Sequence, residues 1–255
     1  MGTSDLDTGA TRGKDDPSRQ VFMLVNAGSG GGDKQQEIVA AALDLGIHHQ
    51  IAAPGDDFEP ILAAALAQGA NLLAAAGGDG TLCTVAEFAM AHDVPMIVVP
   101  AGTRNHFALD LGLDIGDPAT VLRPSLAGMH ERRVDVGSVN GHPFLNNVSL
   151  GLYATAESRA DYRQHKVGAF VAAAREALSA DDGGRATLSL AVPGSSITDA
   201  GDGTTSVMVV NNAYSPGFAP GKRLRARLDA GEVWVYVGGG LDLVGRDAAV
   251  ADGGD

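Results

Sequence analysis

The sequence predicts an α/β protein in two parts: an N-terminal three-layer α/β/α domain around a parallel sheet, then a mostly antiparallel β-domain. Three observations carry this. Short apolar runs alternate with helix-periodic segments as far as residue 128, the pattern of a parallel sheet covered on both faces. Glycine-bearing segments follow three of those runs, where open α/β sheets put their ligand-binding loops. Beyond residue 128 the runs are separated by Gly, Ser, Asp and Pro, and Asn140-Gly141 is a strong hairpin signal.

Taken in order, residues 1–19 are nearly devoid of apolar side chains and read as a disordered tail. Residues 20–26 (QVFMLVN) form an apolar run that enters the turn AGSGGGD. Residues 34–45 read as a helix, with Asp33 and Gln36 as a capping box and Ile38, Ala41, Ala42 and Leu45 on one face. A strand at 47–53 carries His48 and His49 as surface residues of an edge. A helix at 57–68 stops at Gly69, a good residue just past a helix end. Residues 71–76 (NLLAAA) read as a buried strand that runs into GGDGT. Leu82, Val85, Ala86, Ala89 and Met90 then mark a helix face. The strand 95–100 leads into AGTRN and a short helix at 105–111. In the second part, strands are expected at 131–139, 142–150, 185–193, 204–212 and 232–237, with a helix at 157–179. The expected domains are therefore 20–128 and 129–240, and residues 241–255, rich in Asp, Gly and Ala, read as a disordered end.

Composition narrows the function classes. The chain has 255 residues, 45% hydrophobic and 19% charged, enough for one large or two small cores. It contains no apolar run of membrane-spanning length and no basic-then-apolar leader. Cys83 is the sole cysteine, which excludes a disulfide framework and a thiolate metal site and makes a reducing, cytoplasmic setting the expectation. The net charge of −13 argues against nucleic acid as a partner and against strong electrostatic attachment to anionic membranes. Neither H-E-x-x-H nor G-x-S-x-G occurs, so zinc-protease and serine-hydrolase readings have no support.

The chemistry-bearing segments are the three strand-end loops. In Gly77-Gly78-Asp79-Gly80-Thr81, glycines let backbone amides approach phosphate oxygens, and the following helix N-terminus adds its positive dipole end. An aspartate in such a loop makes sense if it faces a magnesium ion that bridges phosphates. The loop 26–33 fails the P-loop pattern, because Asp33 and Gln35 stand where Gly and Ser or Thr are required. It fails the dinucleotide pattern too, so by itself it is equally a connector or a phosphate cradle. In the third loop, Thr103 and Asn105 offer neutral hydrogen-bonding groups, Arg104 could pair with a phosphate, and His106 could position a water or a charge.

GGDGT followed by a helix and then by VPAGTRNHFALDLGL resembles the paired signature of the diacylglycerol kinase catalytic-domain family, which includes bacterial lipid kinases and sphingosine kinases and is related in fold to NAD kinases. NAGSGGG is similar to the family's Asn-Pro-x-Ser-Gly opening, with Ala27 in place of proline. Val134–Gly137, Phe144–Asn147, Asn211–Tyr214 and Leu228–Gly231 resemble its later segments, so the likeness covers 21–237. The resemblance implies an ATP-dependent kinase that acts with magnesium on a lipid or lipid-like hydroxyl. It implies a cytoplasmic protein, with peripheral contact at the inner membrane face and a homodimer both left open. Asn26, Ser29 and Gly30 would hold phosphate. Gly78, Gly80 and Thr81 would line the nucleotide site, with Asp79 central to catalysis and to the metal. Thr103, Arg104 and Asn105 would contact nucleotide or phosphate, and Asp135 would join the metal's carboxylate network. Two departures matter. His106 stands where many relatives have Asp, and the family's later Asp-Gly-Glu segment, carrier of a general-base carboxylate, has no counterpart before the chain ends at ADGGD. The resemblance thus implies a truncated β-domain with an unpaired sheet edge. It leaves two alternatives: an NAD kinase-like enzyme, or a catalytically inactive nucleotide- or lipid-binding remnant.

Overall fold

The run VFMLVN forms strand β1 (Val21–Asn26) because its alternate side chains can be buried on both faces of a sheet. The computed structural model describes residues 19–29, 31–126, 131–151, 206–215, 224–239, 242–244 and 249–251. It divides into two compact units, Met1–Arg133 and Val134–Asp255.

In the first unit β1 is joined by β2 (His48–Ala52), β3 (Leu72–Gly77) and β4 (Met96–Pro100), all parallel, in the order β2-β1-β3-β4. Helices α1 (Gly32–Asp44), α2 (Phe58–Ala67) and α3 (Asp79–Ala91) make the crossovers. Every residue of the central strand β3 is buried. On one face Met23, Val25, Ala74 and Ala76 pack with Ile38 and Ala42 of α1 and with Val121 and Leu122. Leu24, Leu73, Ala75 and Val98 alternate with these along the strands, and they are buried, as are Leu62 of α2 and Leu82, Val85 and Ala86 of α3. The three-layer expectation is met. Each fully buried Leu or Val side chain contributes about 1.5–3 kcal/mol.

Several details differ from the sequence reading. Helix α1 begins at Gly32 with Gly31 as its N-cap, and no side chain caps it. Asp33 therefore lies inside the first turn, where it complements the helix dipole and does not form a capping box. Met90 is 56% exposed, because the buried stripe of α3 is bordered by Phe88 and Ala89. Helix α4 (His106–Asp110), a 3₁₀ turn at Pro118–Val121 and α5 (Leu122–Leu126) complete the unit. Arg19, placed in the tail by composition, is ion-paired with Glu131 at 2.8 Å.

The second unit contains a short hairpin, β5 (Gly137–Val139) and β6 (His142–Phe144), turned at Asn140 and Gly141, whose φ values are 52° and 82°. Strands β7 (Asn147–Gly151), β8 (Ser206–Asn211), β9 (Glu232–Gly239) and β10 (Asp242–Val244) form an antiparallel sheet, and β11 (Ala249–Ala251) also pairs with β9. The expected strand 142–150 breaks at Leu145 and Asn146, because the Leu145 carbonyl and the Asn146 side chain are taken by Arg225. Strand 131–139 shortens to its last three residues, since the Asp135 amide is drawn to the Leu228 carbonyl. Residues 241–255 carry two strands where a disordered end was expected. Their short apolar runs cover both ends of the β9 edge opposite β8, at Val237–Gly239 and Glu232–Trp234, which the resemblance would have left unpaired. The expected helix at 157–179 and strand at 185–193 lie outside the described residues.

Candidate functional site

Strand order reverses at β1: the chain steps to β2 on one side and then crosses to β3 on the other. Open α/β sheets bind ligands at such a switch point, beyond the carboxyl ends of the strands. Asn26 ends β1, Gly77 ends β3 and Pro100 ends β4, and these three parallel strands are neighbours. The three glycine-bearing loops are thereby brought to one rim.

Side chains stitch them together. Asn26 Nδ2 donates to Thr81 Oγ1 at 2.7 Å, and Asn26 Oδ1 accepts the Gly28 amide at 3.0 Å. The Ser29 amide closes the same turn on the Asn26 carbonyl at 3.0 Å. Thr81 is 6% exposed and packs so closely on Gly77 that any side chain at 77 would collide with it. The second and third loops touch backbone to backbone. A Cβ built on Gly78 would lie 3.3 Å from Gly102 Cα, and one built on Gly102 would overlap Gly78 outright. This close approach requires glycine at 102.

Asp79 spans the same two loops. Its Oδ2 accepts the His106 amide at 3.1 Å and its Oδ1 accepts the Phe107 amide at 3.0 Å. These amides open α4, so a carboxylate from α3 caps a helix that begins 27 residues later. Asn105 has left-handed backbone, φ 50° and ψ 42°, and is 2% exposed. Its side chain turns back on its own loop, with Oδ1 accepting the Gly102 amide at 2.8 Å and Nδ2 donating to the Gly102 carbonyl at 2.7 Å. The loop is shaped by Asn105, whereas Thr103 and His106 are exposed on it and Arg104 is half-buried. Gly78 is the N-cap of α3, and Gly80 is exposed in its first turn. Gly30 lies outside the described residues.

The structure therefore gathers Asn26, Gly78, Asp79, Gly80, Thr81, Thr103, Arg104 and Asn105 around one sheet rim, with Ser29 in the adjoining turn. Asp135 belongs to the second unit. Its Oδ2 accepts the Gly231 amide at 2.6 Å and Asn212 Nδ2 at 3.1 Å. Sequence reasoning missed the capping of α4 by Asp79, the inward turn of Asn105 and the Gly78–Gly102 contact. A signal existed for Asn105, since asparagine tolerates left-handed backbone and readily bonds its own loop. The other two depend on β3 and β4 being adjacent, which no local pattern states.

Residues 20–139 match the family model described as diacylglycerol kinase catalytic domain. A protein of Pseudomonas aeruginosa named "Probable lipid kinase YegS-like" is 32% identical over 152 residues, which covers 57% of this chain and 49% of that protein. A Bacillus subtilis protein named diacylglycerol kinase is 38% identical over 78 residues, covering 30% of this chain and 25% of that one. The chain thus spans about half the length, or less, of these curated relatives. The crystal structure of a diacylglycerol kinase from Bacillus anthracis str. Sterne superposes with a TM-score of 0.56 at 21% identity, covering 86% of this chain and 73% of that one, a likeness of fold. Over residues 20–139, somewhat under half of its length, the chain is similar to the diacylglycerol kinase catalytic domain.

Proposed function

We propose that this chain binds ATP at the β1–β3–β4 rim and serves transfer of a phosphoryl group to a lipid hydroxyl, such as that of diacylglycerol or a sphingoid base. The observation that carries the reading is the stitching of three glycine-bearing loops at a topological switch point, through Asn26–Thr81, Asp79 and the Gly78–Gly102 contact. Phosphoryl transfer asks mainly for positioning and charge stabilisation. Rigid loops with glycine amides and a helix N-terminus meet both needs. Asn26, Thr81 and Asn105 set the loop shapes. Gly78 and Gly80 let the phosphates approach, and Thr103 and Arg104 would contact nucleotide or phosphate.

Magnesium fits this residue set in one way. Among the described residues no group of three His, Cys, Asp or Glu side chains could hold a metal. Magnesium commonly takes only one or two carboxylates and keeps substrate phosphates and waters as its other ligands. Asp79 would be the rim carboxylate that faces an ion arriving with the nucleotide, and the ion's chemistry would be to neutralise charge on the phosphates. The acceptor would be a lipid or lipid-like alcohol. Among the described residues no helix is long and apolar enough to cross a membrane.

The test is incubation of the full chain with labelled ATP, magnesium and a panel of diacylglycerol, sphingoid bases, other lipid alcohols and NAD, followed by product separation. Label in a lipid product supports the reading. Label in NAD alone transfers it to the NAD kinase-like alternative. ATP binding without any labelled product identifies a binding protein.

A further inference from the structure

Strand β2 is the outermost strand of the first unit's sheet and pairs only with β1. In an extended strand the amide and carbonyl of one residue point to one side, and those of the next residue to the other. The Ala52 carbonyl accepts the Ala27 amide, at the β1 side, at 3.0 Å. His48, Gln50 and Ala52 therefore direct their backbone groups at β1, and Ile47, His49, Ile51 and Ala53 direct theirs outward. Both ends of that outward row are closed. The Ile47 amide donates to the Ala42 carbonyl at 2.8 Å. The Ala53 amide donates to Asp56 Oδ2 at 2.8 Å, and the Ala53 carbonyl accepts the Asp56 amide at 3.1 Å. Among the described residues, the amides and carbonyls of His49 and Ile51 have no such partner.

A groove runs beside this row. It is lined by Gln36, Val39, Ala40 and Leu43 of α1 and by Ile51, and no charged side chain lines it. Leu43 is 63% exposed and Ile51 46%. An acyl chain would fill the groove but would take the backbone groups of His49 and Ile51 out of water without pairing them, which is unfavourable. An added strand covers the groove and pairs those groups together. The open row is also symmetric about Gln50. Laid antiparallel on a second β2, His49 faces Ile51 of the second copy and Ile51 faces its His49, so every open group is closed by one twofold axis at Gln50. A shift of register in either direction would bring in Ile47 or Ala53, whose amides are taken. Charge points the same way. With a net charge of −13, copies of the chain repel one another in general. Strand β2 (HHQIA) and the groove contain no Asp, Glu, Lys or Arg, so this strip is a place where two copies can meet. The lysine or proline that commonly blunts a sheet edge is missing from it.

We infer that β2 is a self-association edge: two copies join β2 to β2, antiparallel about Gln50, into one continuous sheet, and Leu43 and Ile51 of each are covered by the other. The inference concerns the first unit alone and does not depend on the nucleotide reading.

The experiment is analytical ultracentrifugation of the full chain over a concentration series, combined with disulfide trapping. The chain is expected to sediment as a dimer that gives way to monomer on dilution. Ile51→Lys is expected to raise the dissociation constant by about tenfold or more, with circular dichroism unchanged. Leu43→Ser is expected to act in the same direction and serves in its place should the strand variant not fold. Trapping is done in a Cys83→Ala background. Gln50→Cys is expected to cross-link two copies, because facing residues of a non-hydrogen-bonded pair have α-carbons about 4.5 Å apart, within disulfide reach. His48→Cys is expected not to cross-link. It would face Ala52 of the second copy, which leaves the two position-48 residues about 13 Å apart at about 3.3 Å per residue. A chain that stays monomeric at every concentration overturns the proposal. So does a dimer that is indifferent to Ile51→Lys and cross-links at neither position, or one that cross-links at position 48 in preference to 50. A monomer that binds the fluorescent fatty acid cis-parinaric acid, and loses it in Ile51→Lys, gives the groove to an acyl chain and overturns the second copy as its occupant.

Discussion

At the scale of single residues, Asp79 is the informative position. The string GGDGT is legible in the sequence as a phosphate loop, and the aspartate within it reads as a partner for a metal. The structure adds a second task, because both carboxylate oxygens accept amides at the start of α4. No local pattern could reveal this, since donor and acceptor lie on different loops. It changes what a substitution should do. Asp79→Asn would keep one good acceptor and present an NH₂ group to the other amide. Asp79→Ala would lose both bonds. Loss of a capping side chain costs about 0.5–2 kcal/mol, so Asp79→Ala is expected to fall in that range by urea unfolding and Asp79→Asn near its lower end. Both are expected to abolish lipid phosphorylation. Turnover in Asp79→Asn equal to that of the native chain would remove Asp79 from the mechanism.

At the scale of elements, the strands of the first unit were readable because their pattern is nearly context-free: short apolar runs, each followed by glycine or proline, with helix-periodic stretches between. What could not be read is which strand ends touch. Gly102 shows the difference. In the sequence it is one glycine in AGTRN, an ordinary turn residue. In the fold its α-carbon lies against the backbone of Gly78. Gly102→Ala is therefore expected to push the two loops apart. Overpacking of this kind costs about 1–3 kcal/mol, and here the neighbour is backbone and cannot rotate away. The expected outcome is a lowered melting temperature together with loss of ATP binding by calorimetry. Full ATP affinity in a destabilised Gly102→Ala protein would mean that the loops need not meet to bind nucleotide. The second unit was less legible for a related reason. Residues 142–150 read as one strand on the strength of Phe144, Leu145, Val148 and Leu150, and the break at Leu145 and Asn146 is imposed by an arginine 80 residues away. The end of the chain misled in the opposite sense: its Gly- and Asp-rich composition hid two three-residue runs that pair with β9.

At the scale of the whole molecule, charge and substrate pull in different directions. The net charge is −13, and an acidic protein is repelled by the anionic lipids of a cytoplasmic leaflet. Yet the proposed acceptor is a lipid, reached at a bilayer surface. The described residues contain no membrane-spanning helix to offset the repulsion. Exposed charges more than a Debye length apart are screened, and that length falls from about 30 Å at 0.01 M salt to about 8 Å at 0.15 M. If approach to the surface limits turnover, activity should then depend on vesicle charge in a salt-sensitive way. With diacylglycerol held constant, phosphorylation at low salt is expected to be faster on zwitterionic vesicles than on vesicles rich in anionic lipid. Raising the salt to physiological strength should narrow the gap by restoring the anionic case. A basic protein would show the reverse order, with anionic vesicles preferred and salt inhibitory. Measuring initial rates on both vesicle types across that salt range separates the two. A preference for anionic vesicles by this acidic chain would place a cationic membrane-contact patch in the part of the molecule that meets the lipid, and would overturn the expectation drawn from net charge.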